Sequence, residues 1–255
     1  MMPLLNNLPR PRAGAALSRG GDLRLAARPR PLVAPRRRPL PLLLPWERRL
    51  LLAVGVLLVL WSGIYGRVQF PFLVWNLFLA WLPLAVLRVT DSAAGLLPHF
   101  FLRGPGRWLR WVAWLLLLPN APYIVTDFVH VWHRLEEGRL AGTALAALSV
   151  AGSAVLGLAW FARAMAAAEE ALARTVLSRG VRRAVLVGVV LATAFGVWLG
   201  RVLRFNSWDV VAAPGRLLRE SVAFALEPMV MELTLVTAVG LWGVYVVGAW
   251  WRDTV

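Results

Sequence analysis

Apolar residues along this chain come in long runs rather than in alternation with polar ones, the pattern of helices surrounded by lipid. Six runs stand out: about Leu50 to Tyr65, Phe70 to Leu87, Trp108 to Pro119 or a little beyond, Leu140 to Phe161, Ala184 to Leu199 and Met229 to Trp250. Each is near the roughly 20 residues that cross a bilayer core as helix. The pattern therefore predicts an all-α fold, a polytopic membrane helix bundle of about six transmembrane helices. The third run is the odd one. Trp108 to Leu118 makes only about 16 Å of helix at 1.5 Å per residue, so it spans only if helix resumes beyond the break at Pro119 to Pro122. Both prolines lack an amide donor, and Pro122 clashes with the carbonyl four residues back.

Beyond the break the pattern changes. Wound at about 100° per residue, residues 123 to 134 place Tyr123, Thr126, Asp127, His130, His133 and Arg134 on one face. Ile124, Val125, Phe128, Val129, Val131 and Trp132 fall on the other. Asn120 is positioned to cap this amphipathic helix, with Pro122 in its first turn. The geometry expected is a half-helix whose polar face turns into the bundle, since the third run is otherwise too short.

Composition sharpens the picture. A hydrophobic content of 59% and a mean hydropathy of +0.65 exclude a single soluble domain. The net charge of +15 raises nucleic acid as a partner, but all 28 basic residues are Arg and their placement is that of membrane orientation. With the N-terminus inside, 21 arginines fall on cytoplasmic segments and 7 on outer ones. That bias predicts cytoplasmic N- and C-termini in a cell inner membrane or plasma membrane. It also puts residues 120 to 139 and 200 to 228 on the same, outer side. Residues 1–45 carry nine prolines and nine arginines and read as a disordered basic cytoplasmic arm; residues 46–255 form the transmembrane domain. The expected partners are the lipid bilayer, anionic lipid headgroups through the arm, and a membrane protein of unknown identity, with no nucleic acid among them.

The candidate chemistry gathers toward the outer side. A second polar constellation, Arg201 to Asp209, lies where the fifth run leaves the membrane, with Arg201 and Arg204 three apart, Asn206 or Ser207 able to cap a further helix, and Asp209 in the first turn of that helix. Asn76 lies about two turns into the second run, and Glu232 comes after Pro228 in the first turn of the sixth. The candidate polar site is thus Asn76, Asn120, Tyr123, Thr126, Asp127, His130, His133, Arg201, Arg204, Asn206, Asp209 and Glu232. Asp127 is expected to pair with Arg201 or Arg204, because a carboxylate near lipid is costly without a partner and the chain has no Lys. With no Cys, a metal would need His, Asp or Glu ligands. Asp127 and His133 sit about 120° apart on a straight helix and no metalloprotease-type His pair occurs, so no metal and no other cofactor is expected. His99 stands alone in a cytoplasmic loop. Small residues at Ser153, Gly157, Gly196 and Gly200 allow close backbone approach and place the fourth and fifth runs inside the bundle.

Leu-Leu-Pro-Asn-Ala-Pro-Tyr-Ile-Val-Thr-Asp-Phe-Val-His at 117 to 130, Arg-Phe-Asn-Ser-Trp-Asp at 204 to 209 and Trp75-Asn76-Leu77 together resemble an uncharacterised bacterial membrane family, domain of unknown function 1361. The resemblance covers about Leu50 to Trp250. It implies a multi-pass bacterial membrane protein and brings no agreed activity, substrate or catalytic residue. Function reads first as interaction or assembly, since polar interfacial motifs in a bundle need no chemistry to explain them. One alternative is a solute transporter or binding protein, argued from the helix broken at Asn120. The other is an envelope enzyme acting on an anionic lipid or cell-wall substrate, with Asp127 or His130 as base and Arg204 stabilising the anion.

Overall fold

In the computed structural model, which describes residues 41–66, 71–92, 105–136, 142–174, 178–205 and 207–254, every regular element is helical. Helix α1 covers Pro45–Tyr65 and α2 covers Pro71–Ser92. The third span is assembled from α3 (Pro105–Leu117), a one-turn α4 (Asn120–Tyr123), a 3-10 turn (Ile124–Asp127) and α5 (Phe128–Glu136). Next come α6 (Thr143–Ala173) and α7 (Arg179–Trp198), which runs into a π-helical turn at Leu199–Leu203. The short α8 (Asp209–Ala212), α9 (Pro214–Ala225) and the long α10 (Pro228–Thr254) complete the chain. Most of the basic arm and the His99 loop lie outside the described residues.

Five stretches are long and apolar enough to cross a membrane: Pro45–Tyr65, Gly106–Glu136, Thr143–Ala173, Arg179–Leu203 and Pro228–Arg252. The apolar part of α2, Pro71–Leu87, is shorter. These are the six apolar runs, in order, and the chain is a helical membrane bundle. The fourth run was expected to end near Phe161, whereas α6 continues to Ala173. The reason is local: residues 162 to 173 are mostly Ala with Glu and Leu, the strongest helix formers.

Helix α6 is the axis of the bundle. Half of its most apolar stretch, 50%, is buried in protein, against 11% for α1 and 28% for α7, and it touches α1, α2, α4, α5 and α10. The fourth run is therefore interior as expected, while α7 lies further out and packs chiefly on α10. Contacts fix which helix ends lie together. At one end Arg134 of α5 lies over Trp61 of α1, and deeper in the bundle the α4 turn meets α2, α6 and α7. At the opposite end the fully buried Glu47 of α1 pairs with Arg163 of α6. Glu47 also accepts from the Leu44 amide at 2.7 Å, and Arg163 donates to the carbonyls of Pro41 and Leu42. Beside them Tyr245 of α10 donates to Glu169 at 2.6 Å, and Arg252 pairs with Glu170 at 3.3 Å. Charged groups at that end thus tie α1 and α10 to α6, and a buried charge such as Glu47 is sustained only by such a partner.

Candidate functional site

The site begins with a shortage of backbone donors. Pro119 and Pro122 have no N–H, so the carbonyls of Leu115 and Leu118 lose the partners an α-helix supplies four residues on. The Ala121 amide moves to Leu118 O, at 3.1 Å, and leaves Leu117 O without its helical donor. Asn120 Nδ2 donates to that oxygen at 2.9 Å and also to Ser207 Oγ at 3.1 Å. Ser207 Oγ in turn donates to Leu116 O at 2.9 Å. The two polar motifs, 87 residues apart, therefore close on one another. Asn120 is not the forward helix cap the sequence indicated: its side chain reaches back, and Pro119 at the cap position offers no side-chain bond. Pro119, Tyr123, Ile124 and Phe128 all keep right-handed helical dihedrals, so the break is a change of hydrogen-bond step rather than a departure into coil.

Small residues seat this segment. A methyl group built on Gly157 of α6 would overlap the Ala121 carbonyl oxygen. On Gly196 of α7 it would lie 2.6 Å from Pro119 Cγ, and on Gly200 it would meet the Tyr123 ring at 3.3 Å. The small-residue motifs of α6 and α7 thus receive the broken segment from two sides, which is where close backbone approach is used.

Beyond the break the polar face turns inward. Asp127 is 2% exposed, and its Oδ2 accepts from Asn76 Nδ2 of α2 at 2.9 Å. The expected ion pair with Arg201 or Arg204 does not form. A neutral amide satisfies the carboxylate without a second charge having to be desolvated. Arg201, half-buried in the π-helical turn, and His130 both lie within electrostatic range of Asp127. Arg201 makes no hydrogen bond or ion pair among the described residues. The half-buried His130 ring packs 4.8 Å from that of Phe72 on α2. Thr126 Oγ1 donates to Tyr123 O at 2.7 Å, a local bond within the segment.

The buried stripe is Ile124, Asp127, Val131 and Arg134, whereas Val125, Phe128 and Trp132 are exposed. It straddles the boundary between the two faces read from the sequence: Asp127, at the edge of the polar face, is the centre of the buried one, and the 3-10 turn brings Ile124 into line with it. His133, about 120° from Asp127 on that wheel, is consequently exposed. It sits 3.2 Å from Glu136 and leaves the cluster. Arg134 is buried instead, its guanidinium 4.4 Å from the centre of the Trp61 ring.

Arg204 is exposed and left-handed, with φ 58° and ψ 31°. Asp209 opens α8 and acts electrostatically on Arg216. Glu232 is exposed on α10, and Asn206 lies outside the described residues. Of the candidate set, Asn76, Asp127, His130 and Arg201 converge from α2, the third span and the end of α7, with Asn120 and Tyr123 in the adjoining seat. Among the described residues no three His, Asp or Glu side chains gather as a metal-ligand group. The cluster can hold an anion at Arg201 and accept or release a proton at His130, with a buried carboxylate behind both. Sequence reading missed Ser207 as a site member. Its signal was available: a helix broken at two prolines opens carbonyls near the break, Leu116 O among them, to a hydroxyl in the other motif.

A family model described as "Protein of unknown function (DUF1361)" matches residues 75–243. The match takes in both polar motifs and runs from Trp75 in α2 into α10, a narrower span than the one over which the sequence shows its resemblance. No curated protein and no solved structure matches the chain.

Proposed function

We propose, for a chain that belongs to the family of proteins of unknown function DUF1361, a binding function: an integral protein of an inner or plasma membrane that holds an anionic group at the outward-facing end of its bundle. The observation that carries this reading is Arg201. Arg201 is half-buried within electrostatic range of a buried carboxylate that accepts from Asn76, and its five donors have no hydrogen-bond or ion-pair partner among the described residues. A planar fork of N–H groups in a low-dielectric setting suits a phosphate or carboxylate. Backbone strain at the same place supports it. Arg201 sits in a π-helical turn and Arg204 in a left-handed conformation, two irregularities that persist chiefly where function holds them.

The test is stabilisation of the purified full-length chain in lipid nanodiscs, with two anions as probes: inorganic phosphate in solution, and phosphatidylglycerol mixed into phosphatidylcholine. At least one should raise the melting temperature of the wild type and fail to do so for R201Q. Mass action gives about 2.7 kcal/mol when the ligand is present at a hundred times its Kd. Absence of stabilisation by both anions would falsify the reading. The second reading, interaction or assembly, is favoured by Asn76, Asn120, Asp127 and Ser207 being committed to one another. On that reading neither anion matters, and R201Q changes self-association or the recovery of a co-purifying membrane protein.

A further inference from the structure

The surroundings of Arg201 and Arg204 distinguish among anions. Helix α7 ends its apolar stretch at Leu203 and α10 begins its own at Pro228, so both ends of the intervening segment are held at one membrane surface. That segment contains α9, in which no residue is buried against the rest of the chain. Leu218, Val222 and the capping Leu226 recur every fourth position and are 67%, 54% and 74% exposed, with Arg219 bordering the stripe and Arg216 and Glu220 lying further round the helix. A contiguous apolar stripe of this kind is costly in water, and an amphipathic helix between two spans lies in the plane of the interface with that stripe in the acyl layer.

Two contacts hold α9 against the cationic turn and the end of α7. The Arg216 guanidinium lies 5.3 Å from the centre of the Phe205 ring, next in sequence to Arg204, and is held in its rotamer by Glu220 at 2.8 Å. Further along, Phe224 approaches Phe195 of α7 at 6.1 Å. Among the described residues, the exposed side chains nearest the arginines in sequence are apolar as well, Val202 before Arg204 and Trp208 after it. The donors of Arg201, without a hydrogen-bond partner among the described residues, and the exposed Arg204 are thus bordered in sequence by apolar surface.

We infer that the anion is the phosphate of a membrane amphiphile, reached from the bilayer between the Arg201–Arg204 turn and α9, with its hydrocarbon remaining in the acyl layer alongside Leu218 and Val222. The inference rests on the proposed anion-binding reading and names its ligand class. The phosphate of a lipid and free phosphate offer the same oxygens to a guanidinium, so the arginines alone do not separate them. The exposed apolar border does, because it rewards a ligand that carries a tail.

The full-length chain in phosphatidylcholine nanodiscs is titrated with phosphatidylglycerol, with water-soluble glycerol phosphate and with inorganic phosphate. Lipid retention is read by native mass spectrometry and stability by melting temperature. Phosphatidylglycerol should bind and stabilise, and the two soluble phosphates should leave the melting temperature unchanged. R201Q and R204Q should each lower the lipid affinity about tenfold or more, the scale of one charge-assisted hydrogen bond. R201K, which keeps the charge and loses the fork, should fall between them and the wild type and guards against a folding defect in R201Q. L218N/V222N should weaken lipid retention with both arginines intact. Stabilisation by glycerol phosphate or inorganic phosphate to the same extent overturns the inference while leaving the anion-binding reading in place. Lipid retention unaffected by both R201Q and L218N/V222N also overturns it. Lack of binding by all three probes sinks both.

Discussion

At Gly157 a single methyl group decides whether the third span can be seated. The Ala121 carbonyl occupies the place its Cβ would take, and backbone on both sides leaves little room to give. Gly157→Ala is therefore expected to cost about 1–3 kcal/mol of stability, the usual penalty for overpacking. Gly55→Ala or Gly63→Ala on α1, where a Cβ meets nothing within 4 Å, should be neutral or slightly stabilising. Thermal unfolding of the three variants in one detergent checks both. Asp127 makes a second prediction at this scale. Asn76→Leu removes the amide that its buried carboxylate accepts from, and should cost about 1–3 kcal/mol. Adding Asp127→Leu to it should recover part of the loss, as when both halves of a buried pair are made apolar. That Asp127 needs a partner was legible in the sequence, from the cost of a carboxylate near lipid. Which partner was not: charge strength pointed to Arg, whereas an amide 51 residues away meets the need without a second desolvated charge.

The broken third span shows how far local rules carry at the level of the element. Two prolines three apart announced the interruption, and helix resumed after it as the amphipathic pattern required. The role of Asn120 was misread because capping rules look forward along the same helix, while the unmet carbonyls lie behind it and half of the remedy arrives from Ser207. The centre of the buried face was misread as well. The wheel put Asp127 at the edge of the polar face, whereas the buried face centres on it, which leaves His133 about 120° away and exposed. Asn120→Ala and Ser207→Ala should each destabilise by about 0.5–1.5 kcal/mol, the scale of one net hydrogen bond. The double variant should lose clearly less than the sum, because the two side chains bond each other as well as adjacent carbonyls; strict additivity in chemical denaturation would refute the shared network.

Across the whole molecule, hydropathy sufficed to place six apolar helices, and contacts confirm that successive helices alternate in direction around α6. What hydropathy could not reveal is the opposite end, where Glu47 and Arg163 meet across 116 residues, since a lone Glu before an apolar run carries no pattern that names its partner. The orientation proposed for the bundle depends on Arg placement, 21 against 7. A periplasmic-type reporter joined after Arg139 should be active and one joined after Arg174 silent. The reverse result would turn the cationic turn and α9 toward the cytoplasm and with them the leaflet whose lipid is bound.

Arg204 adopts a backbone conformation, φ 58° and ψ 31°, that a residue with a Cβ enters at a cost of about 1–2 kcal/mol. Gly would enter it freely and, after allowing about 0.5–1 kcal/mol for its greater freedom in the unfolded chain, should leave the protein more stable by a few tenths to about 1 kcal/mol. Arg204→Gly is thus expected to melt at a higher temperature than the wild type while binding phosphatidylglycerol less tightly. Stability and activity would then be seen to trade against each other at one side chain, the signature of a position occupied for what its guanidinium does and not for what its backbone prefers.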